Sequence, residues 1–195
     1  MLNSEIEKLL KNSLTDFELS ESFGHRSVGD KIESDCVEIV KNSFLNDFRK
    51  SKSKRSIDDF SLLFKDKSDM FDVKTHFIQS EKGFSMPNLI SVKRLKRVLE
   101  NQNQSLSYIF VDYTRENGIV KIENVYIKYI WELDWSILGI GALGKGQLQI
   151  KDANKQIVFI DMGKDKWFDI LKVKVVEFYK KEIKKIEKEI LLWKQ

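Results

Sequence analysis

The sequence holds one cysteine, one proline and two histidines in 195 residues. A lone Cys36 excludes an internal disulfide framework and any multi-cysteine zinc site. With only His25 and His76, a histidine-rich metal centre or a histidine-based metalloprotease is excluded as well. Apart from Pro87 there is no proline, and no serine- or glycine-rich tract or internal repeat marks a linker, so residues 1–195 are expected to form a single domain. No apolar run approaches the roughly 18 residues of a membrane span. The opening MLNSEIEKLL is acidic, polar and amphipathic, unlike the basic-then-apolar order of a signal peptide, which points to a soluble, cytoplasmic protein with no membrane partner. What the chain does have is ample core material, 42% hydrophobic and 11% aromatic residues. Lys and Arg number 34 against 30 Asp and Glu, and a net charge of +4 is too small to imply a nucleic-acid partner alone. Residues 164–195 carry ten lysines against six acids, the whole of that excess.

Two helices are expected at the start. Leu2, Ile6, Leu9 and Leu10 share one helical face, and Val28, Ile32, Cys36, Ile39, Val40 and Phe44 another. A basic run, Arg49 to Arg55, follows without an acid. Ile57 to Phe77 reads as two strands around a polar turn at 65–69. A loop with Gly83 and Pro87 leads into a helix whose apolar stripe is Leu89, Val92, Leu95, Val98 and Leu99 and whose basic face is Lys93, Arg94, Lys96 and Arg97. Two longer strands then meet at Glu116-Asn117-Gly118, where Asn-Gly between β-rich runs signals a hairpin. Glycine-rich GIGALGKGQLQI ends in a short strand. The last thirty residues read as a long helix with Ile170, Val173, Val176, Ile183, Ile186, Ile190 and Trp193 at spacings of three and four. The order predicts an α/β fold, a mixed β-sheet flanked by helices.

The chemistry centres on Asp59 and, thirteen residues on, Asp72-Val73-Lys74. Asp72 and Lys74 are two apart in a strand and leave the same face. An Asp59 on the neighbouring strand of one hairpin reaches the same point. Two carboxylates are what a magnesium ion takes from protein, with water and phosphate completing its shell. The ammonium can orient the attacking water and offset phosphate charge. An isolated D-x-K is ordinarily a pair of solvated strand charges. Here it lies between the apolar strand residues Phe71, Val73 and Phe77.

Asp59…Asp72-Val73-Lys74 resembles the PD-(D/E)xK nuclease signature, with Asp58 standing where the family has proline. The stretch THFIQSEKGFSMPNLISVKRL resembles type II restriction endonucleases of the HincII/EcoRV branch, through the D-V-K strand and the helix start Pro87-Asn88-Leu89-Ile90. GHRSVGDKIESDCVEIV resembles the branch's turn into a helix that presents an acid to the metal site, which points to Glu33 first and Asp30 second. YIFVDYTRENGIVKIENVYI is similar to the long central hairpin, and GALGKGQLQI to a DNA-contacting loop and strand. The resemblance covers about residues 24 to 150. It implies a restriction-endonuclease-like fold and a magnesium-dependent, sequence-specific endodeoxyribonuclease acting on double-stranded DNA. In-line attack by water would leave 5′-phosphate and 3′-hydroxyl ends, blunt in this branch. Asp59, Asp72 and the main-chain carbonyl of Val73 would hold Mg2+, and Lys74 would position the nucleophile, with Glu33 contributing. A homodimer and a cognate DNA methyltransferase are implied as partners.

Other features are weighed against that reading. Gly139, Gly141 and Gly144 spell G-x-G-x-x-G, and Gly139 to Lys145 spells most of a P-loop, but residue 146 is glycine and QLQI reads as a strand where a phosphate-binding helix is needed. Gly141 and Lys145 then fit a backbone approach to DNA, or a plain hairpin tip. Gln147 and Gln149 can read adenine through paired hydrogen bonds. Asn88, Lys93 and His76 complete the candidate DNA contacts. His76 shares the Lys74 face, with a structural role equally open, while His25 reads as structural and Cys36 as core. Trp131, Trp135 and Trp167 read as core or dimer residues. Leu2, Ile6 and Leu9 offer a dimer stripe. Alternatives are another PD-(D/E)xK nuclease, for repair or junction resolution, and a non-catalytic DNA-binding module.

Overall fold

The computed structural model describes residues 2–53, 56–78, 88–141, 146–151 and 157–194. Two compact units can be distinguished, Met1–Ser85 with Asn101–Ile130, and Met86–Glu100 with Trp131–Gln195. No described helix is long and apolar enough to cross a membrane.

The first unit is a six-stranded mixed sheet with two helices. Helix α1 (Leu2–Ser13) precedes the short strand β1 (Phe17–Glu18), and helix α2 (His25–Ser43) precedes β2 (Phe48–Lys50), β3 (Phe60–Phe64) and β4 (Lys67–Phe77). Strands β6 (Gln104–Glu116) and β7 (Ile119–Tyr129) form the long hairpin. The sheet order is β1-β7-β6-β4-β3-β2. Only β4 and β6 run parallel; the other pairs are antiparallel. Asn117 (φ 51°) and Gly118 (φ 78°) make the two-residue turn between β6 and β7, the left-handed conformation these residues tolerate best. The β3–β4 turn is tighter than the spacing predicts. Phe64 pairs with Lys67 around Lys65-Asp66, so Lys67, Ser68 and Asp69 already belong to the strand.

The core of this unit lies between α1, α2 and one face of the sheet. Ile6, Leu10, Val28, Ile32, Cys36 and Val40 pack with Phe71, Val73, Ile109, Val111 and Ile127. Of the expected dimer stripe, Ile6 is fully buried and Leu2 packs against this core, while Leu9 is half-buried; α1 lies on β7 and α2. Cys36 is core, as its place on the stripe predicts, and burial pushes its thiol up to about 12. His25 bonds through Nδ1 to the Tyr113 hydroxyl at 3.0 Å and packs on Phe77, a structural setting. Strands β1 and β2 have no sequence signal of their own; β2 is the front of the basic run, placed by pairing to β3.

The second unit holds a three-stranded antiparallel sheet, β5 (Asn88–Ser91), β9 (Gln147–Ile150) and β8 (Leu138–Gly141), in that order. Helix α3 (Val92–Glu100) follows β5, and α4 (Lys164–Leu192) ends the unit. The expected helix start at Pro87-Asn88-Leu89-Ile90 is corrected for Asn88 to Ile90, which are strand paired to β9. The helix begins one residue past Ser91, whose hydroxyl accepts the Arg94 N–H as an N-cap does. Pro87 lies outside the described residues. Trp167 is fully buried, donates from Nε1 to the Leu133 carbonyl at 2.8 Å and stacks on Trp135, centroids 4.7 Å apart. These two tryptophans are core residues.

Candidate active site

Alternation along β4 sorts its side chains. Phe71 and Val73 enter the core, so Asp72, Lys74 and His76 leave the other face. The parallel neighbour β6 sets Tyr108 beside Asp72, Phe110 beside Lys74 and Asp112 beside His76. Asp59 stands one residue before β3. Its N–H donates to the Phe71 carbonyl at 2.8 Å, and its Oδ2 accepts the Val73 N–H at 2.7 Å. The ladder between β3 and β4 has ended there, and a side-chain carboxylate satisfies the amide that a strand carbonyl would have taken.

The Lys74 ammonium makes an ion pair with Asp72 Oδ2 and lies 3.4 Å from the Val73 carbonyl. It also sits 5.9 Å over the Tyr108 ring. The buried Asp72 Oδ2 has this ammonium as its partner. Burial lifts the Asp72 carboxyl to about 7; Lys74 opposes the rise, while Asp59 and Glu33 add to it. Glu33 on α2 is half-buried. Its carboxyl is raised by burial and by Asp59 and Asp30, against Lys74 and Lys50. Asp59, Asp72, Lys74 and Glu33 thus form one electrostatic group. Asp58 is raised by burial and by its neighbour Asp59. It is Asp59 that bonds to Val73 and acts on Asp72.

Among the described residues no group of three or more His, Cys, Asp or Glu side chains is gathered into a metal-binding cluster. The donor set named from sequence needs only two carboxylates, Asp59 and Asp72, plus the Val73 carbonyl. It fits a hard divalent cation, because the donors are all oxygen and Asp59 is held on the Val73 N–H next to Asp72.

His76 bonds through Nδ1 to Asp112 Oδ1 at 3.0 Å, and the Tyr126 hydroxyl bonds to the same aspartate. Asp112, Tyr108 and Lys50 are neighbours that sequence reasoning missed. Lys50 was visible as a basic residue, but the other two depend on the parallel β4–β6 register, which no local signal encodes.

The remaining candidates lie in the second unit. Lys93, with Arg94, Lys96 and Arg97, is on an exposed basic face of α3. Gln149 is 9% exposed and its amide donates to Asn88 Oδ1 at 2.5 Å, so these two candidates hold each other across β5 and β9. Gln147 is half-buried at the start of β9. Gly139 and Gly141 lie in β8, where a Cβ would strike the Lys151 and Gln149 side chains respectively. Their lack of side chain makes room across this hairpin, and the residues after 146 are strand, so neither nucleotide-binding glycine motif opens a helix. Lys145 lies outside the described residues.

No family model matches the chain, and no curated protein matches it in sequence. Among solved structures it is similar to the NlaIV restriction endonuclease, at 16% identity and a TM-score of 0.54, over 76% of this chain and 67% of that one. The chain therefore has a restriction-endonuclease-like fold, a mixed β-sheet flanked by helices.

Proposed function

We propose that the protein is a magnesium-dependent endonuclease that cuts double-stranded DNA at a short specific sequence, a type II restriction enzyme of the HincII/EcoRV-like branch. The observation that carries the reading is the convergence of Asp59, Asp72 and Lys74, with Glu33 in electrostatic contact, at the point where β3 leaves β4. The fold likeness supports it independently. Asp59, Asp72 and the Val73 carbonyl would hold Mg2+, which when bound supplies Lewis-acid polarisation of the phosphate and a more acidic attacking water. Lys74, already poised between Asp72 and the Val73 carbonyl, orients that water and offsets charge on the phosphate. In-line attack yields 5′-phosphate and 3′-hydroxyl ends. The basic face of α3 at Lys93, and Gln147 at the head of β9, are the exposed or half-exposed groups suited to DNA. Cutting both strands calls for two such clusters, hence a two-fold homodimer on a near-palindromic site, with a cognate DNA methyltransferase protecting the host.

Incubation with plasmid DNA and magnesium tests the reading. Discrete bands, blunt on end sequencing, are expected. A smear would replace it with a non-specific or repair nuclease, and intact plasmid with a DNA-binding module.

A further inference from the structure

From Val176 onward α4 turns large apolar side chains to solvent. Trp167 and Leu171 are its buried residues. Past them Val176 is 53% exposed, Ile183 55%, Ile186 53%, Ile190 47% and Trp193 92%. These five side chains recur at spacings of seven, three, four and three. That is a repeat of about 3.5 residues, the spacing at which one helix packs along another. The seam asks for a helical partner.

We propose that the partner is the same helix of a second copy, running antiparallel about a two-fold axis between Ile183 and Ile186. This deepens the dimer of the proposed nuclease by naming its contact, and its test reads mass rather than cleavage. Three features favour self-pairing in this sense. The first is volume. Antiparallel layers set Val176 against Trp193 of the partner subunit and Ile183 against the partner's Ile186, so the largest side chain faces the smallest in the outer layers. A parallel pair would stack tryptophan on tryptophan and valine on valine. The second is charge. Beside the seam, Lys180 faces Glu187 of the partner subunit, and symmetry repeats the pair. Glu182, which would face the partner's Glu189, is held by Lys185 at 2.5 Å, which offsets that repulsion. The third is area. The exposed parts of the five side chains amount to roughly 600 Å² per chain, near the lower end of what a stable interface requires. The outward side carries Lys181, Lys184, Lys185 and Lys188 and, near the end of the helix, the exposed Leu191 and Leu192.

Sedimentation equilibrium on the full chain at micromolar concentration, without DNA, tests this. Wild type is expected to run as a dimer. The variant Ile183→Glu/Ile186→Glu is expected to weaken the dimer about 100-fold or more and run as a monomer, because it places four carboxylates in the seam. Its far-UV dichroism should match wild type, since both side chains are exposed. Lys180→Glu should weaken the dimer several-fold, and Lys180→Glu/Glu187→Lys should restore it. A monomeric wild type overturns the proposal, while a dimer that forms only on DNA would keep the nuclease reading. A double-glutamate variant that stays dimeric overturns this contact alone. A Lys180→Glu variant of undiminished affinity overturns the antiparallel register.

Discussion

The carboxylate of Asp59 accepts the Val73 amide at 2.7 Å across the end of the β3–β4 ladder. One bond does two things. It closes the backbone where the sheet frays, and it fixes the first acid of the site against the main chain between the second acid and the lysine. The thirteen residues separating Asp59 from Asp72 are consumed by a hairpin with a two-residue turn, which returns the chain to the same place.

That geometry separates the effects of substitution. Asp72→Ala and Lys74→Ala should each lower plasmid cleavage about 1000-fold or more in magnesium while leaving the fold intact, since the Asp59–Val73 bond that closes the end of the ladder is kept. Asp59→Ala should lose cleavage equally and also destabilise the fold by about 1–2 kcal/mol, because the Val73 amide is left unbonded. Single-turnover cleavage and urea denaturation read the two quantities. Wild-type cleavage by Asp72→Ala or Lys74→Ala would remove those residues from the site.

Calcium should support DNA binding without cutting. It shields Asp59 and Asp72 from the phosphate as magnesium does, but it is larger and a poorer activator of bound water. A mobility-shift assay in calcium beside a cleavage assay in each ion makes the comparison. Efficient cleavage in calcium alone would contradict a magnesium-type site.

Much of this was legible in the sequence where periodicity and turn chemistry agree. The stripes of α1 and α2, the Asn117-Gly118 hairpin and the D-x-K strand all follow from local rules. What was not legible depends on partners distant in the chain. Leu89 and Ile90 fit a helical stripe as well as a strand, and pairing with β9 decided for the strand. Asp112 meets His76 only through the parallel register of β4 and β6. The period of α4 was read correctly as a helix, but spacing cannot say whether a stripe faces its own core or another chain. Here Trp167 and Leu171 are buried, while the stripe from Ile183 to Trp193 is exposed.

Asp72 should make stability fall as pH rises. Its carboxyl stands at about 7 in the fold, against an ordinary 3.8. Between those values the folded chain holds a proton that the unfolded chain has lost. The contribution is fully present below about pH 4 and gone once pH passes about 7. From pH 5 to pH 8 the metal-free protein should lose about 3 kcal/mol more than Asp72→Asn, in which no carboxyl titrates. Urea denaturation of both proteins at the two pH values measures the difference. Equal losses would mean that Asp72 is ionised at an ordinary pH despite its burial.

Glu33 distinguishes a working acid from a structural one. It raises Asp72, while Lys74 opposes the rise of both acids. Replacing it with glutamine keeps the shape and removes one negative charge. Asp72 should then ionise more readily, and the acid limb of the pH–rate profile should move toward lower pH. Cleavage at the optimum should fall about 10- to 100-fold if Glu33 also helps hold the cation or the attacking water. A residue that merely packed on α2 would leave the profile where it was, whatever it did to stability. Rates of Glu33→Gln and wild type, measured from pH 5.5 to 8.5 at saturating magnesium, separate these cases. An unmoved acid limb with an undiminished rate would take Glu33 out of the site and leave Asp59, Asp72 and Lys74 as its full complement.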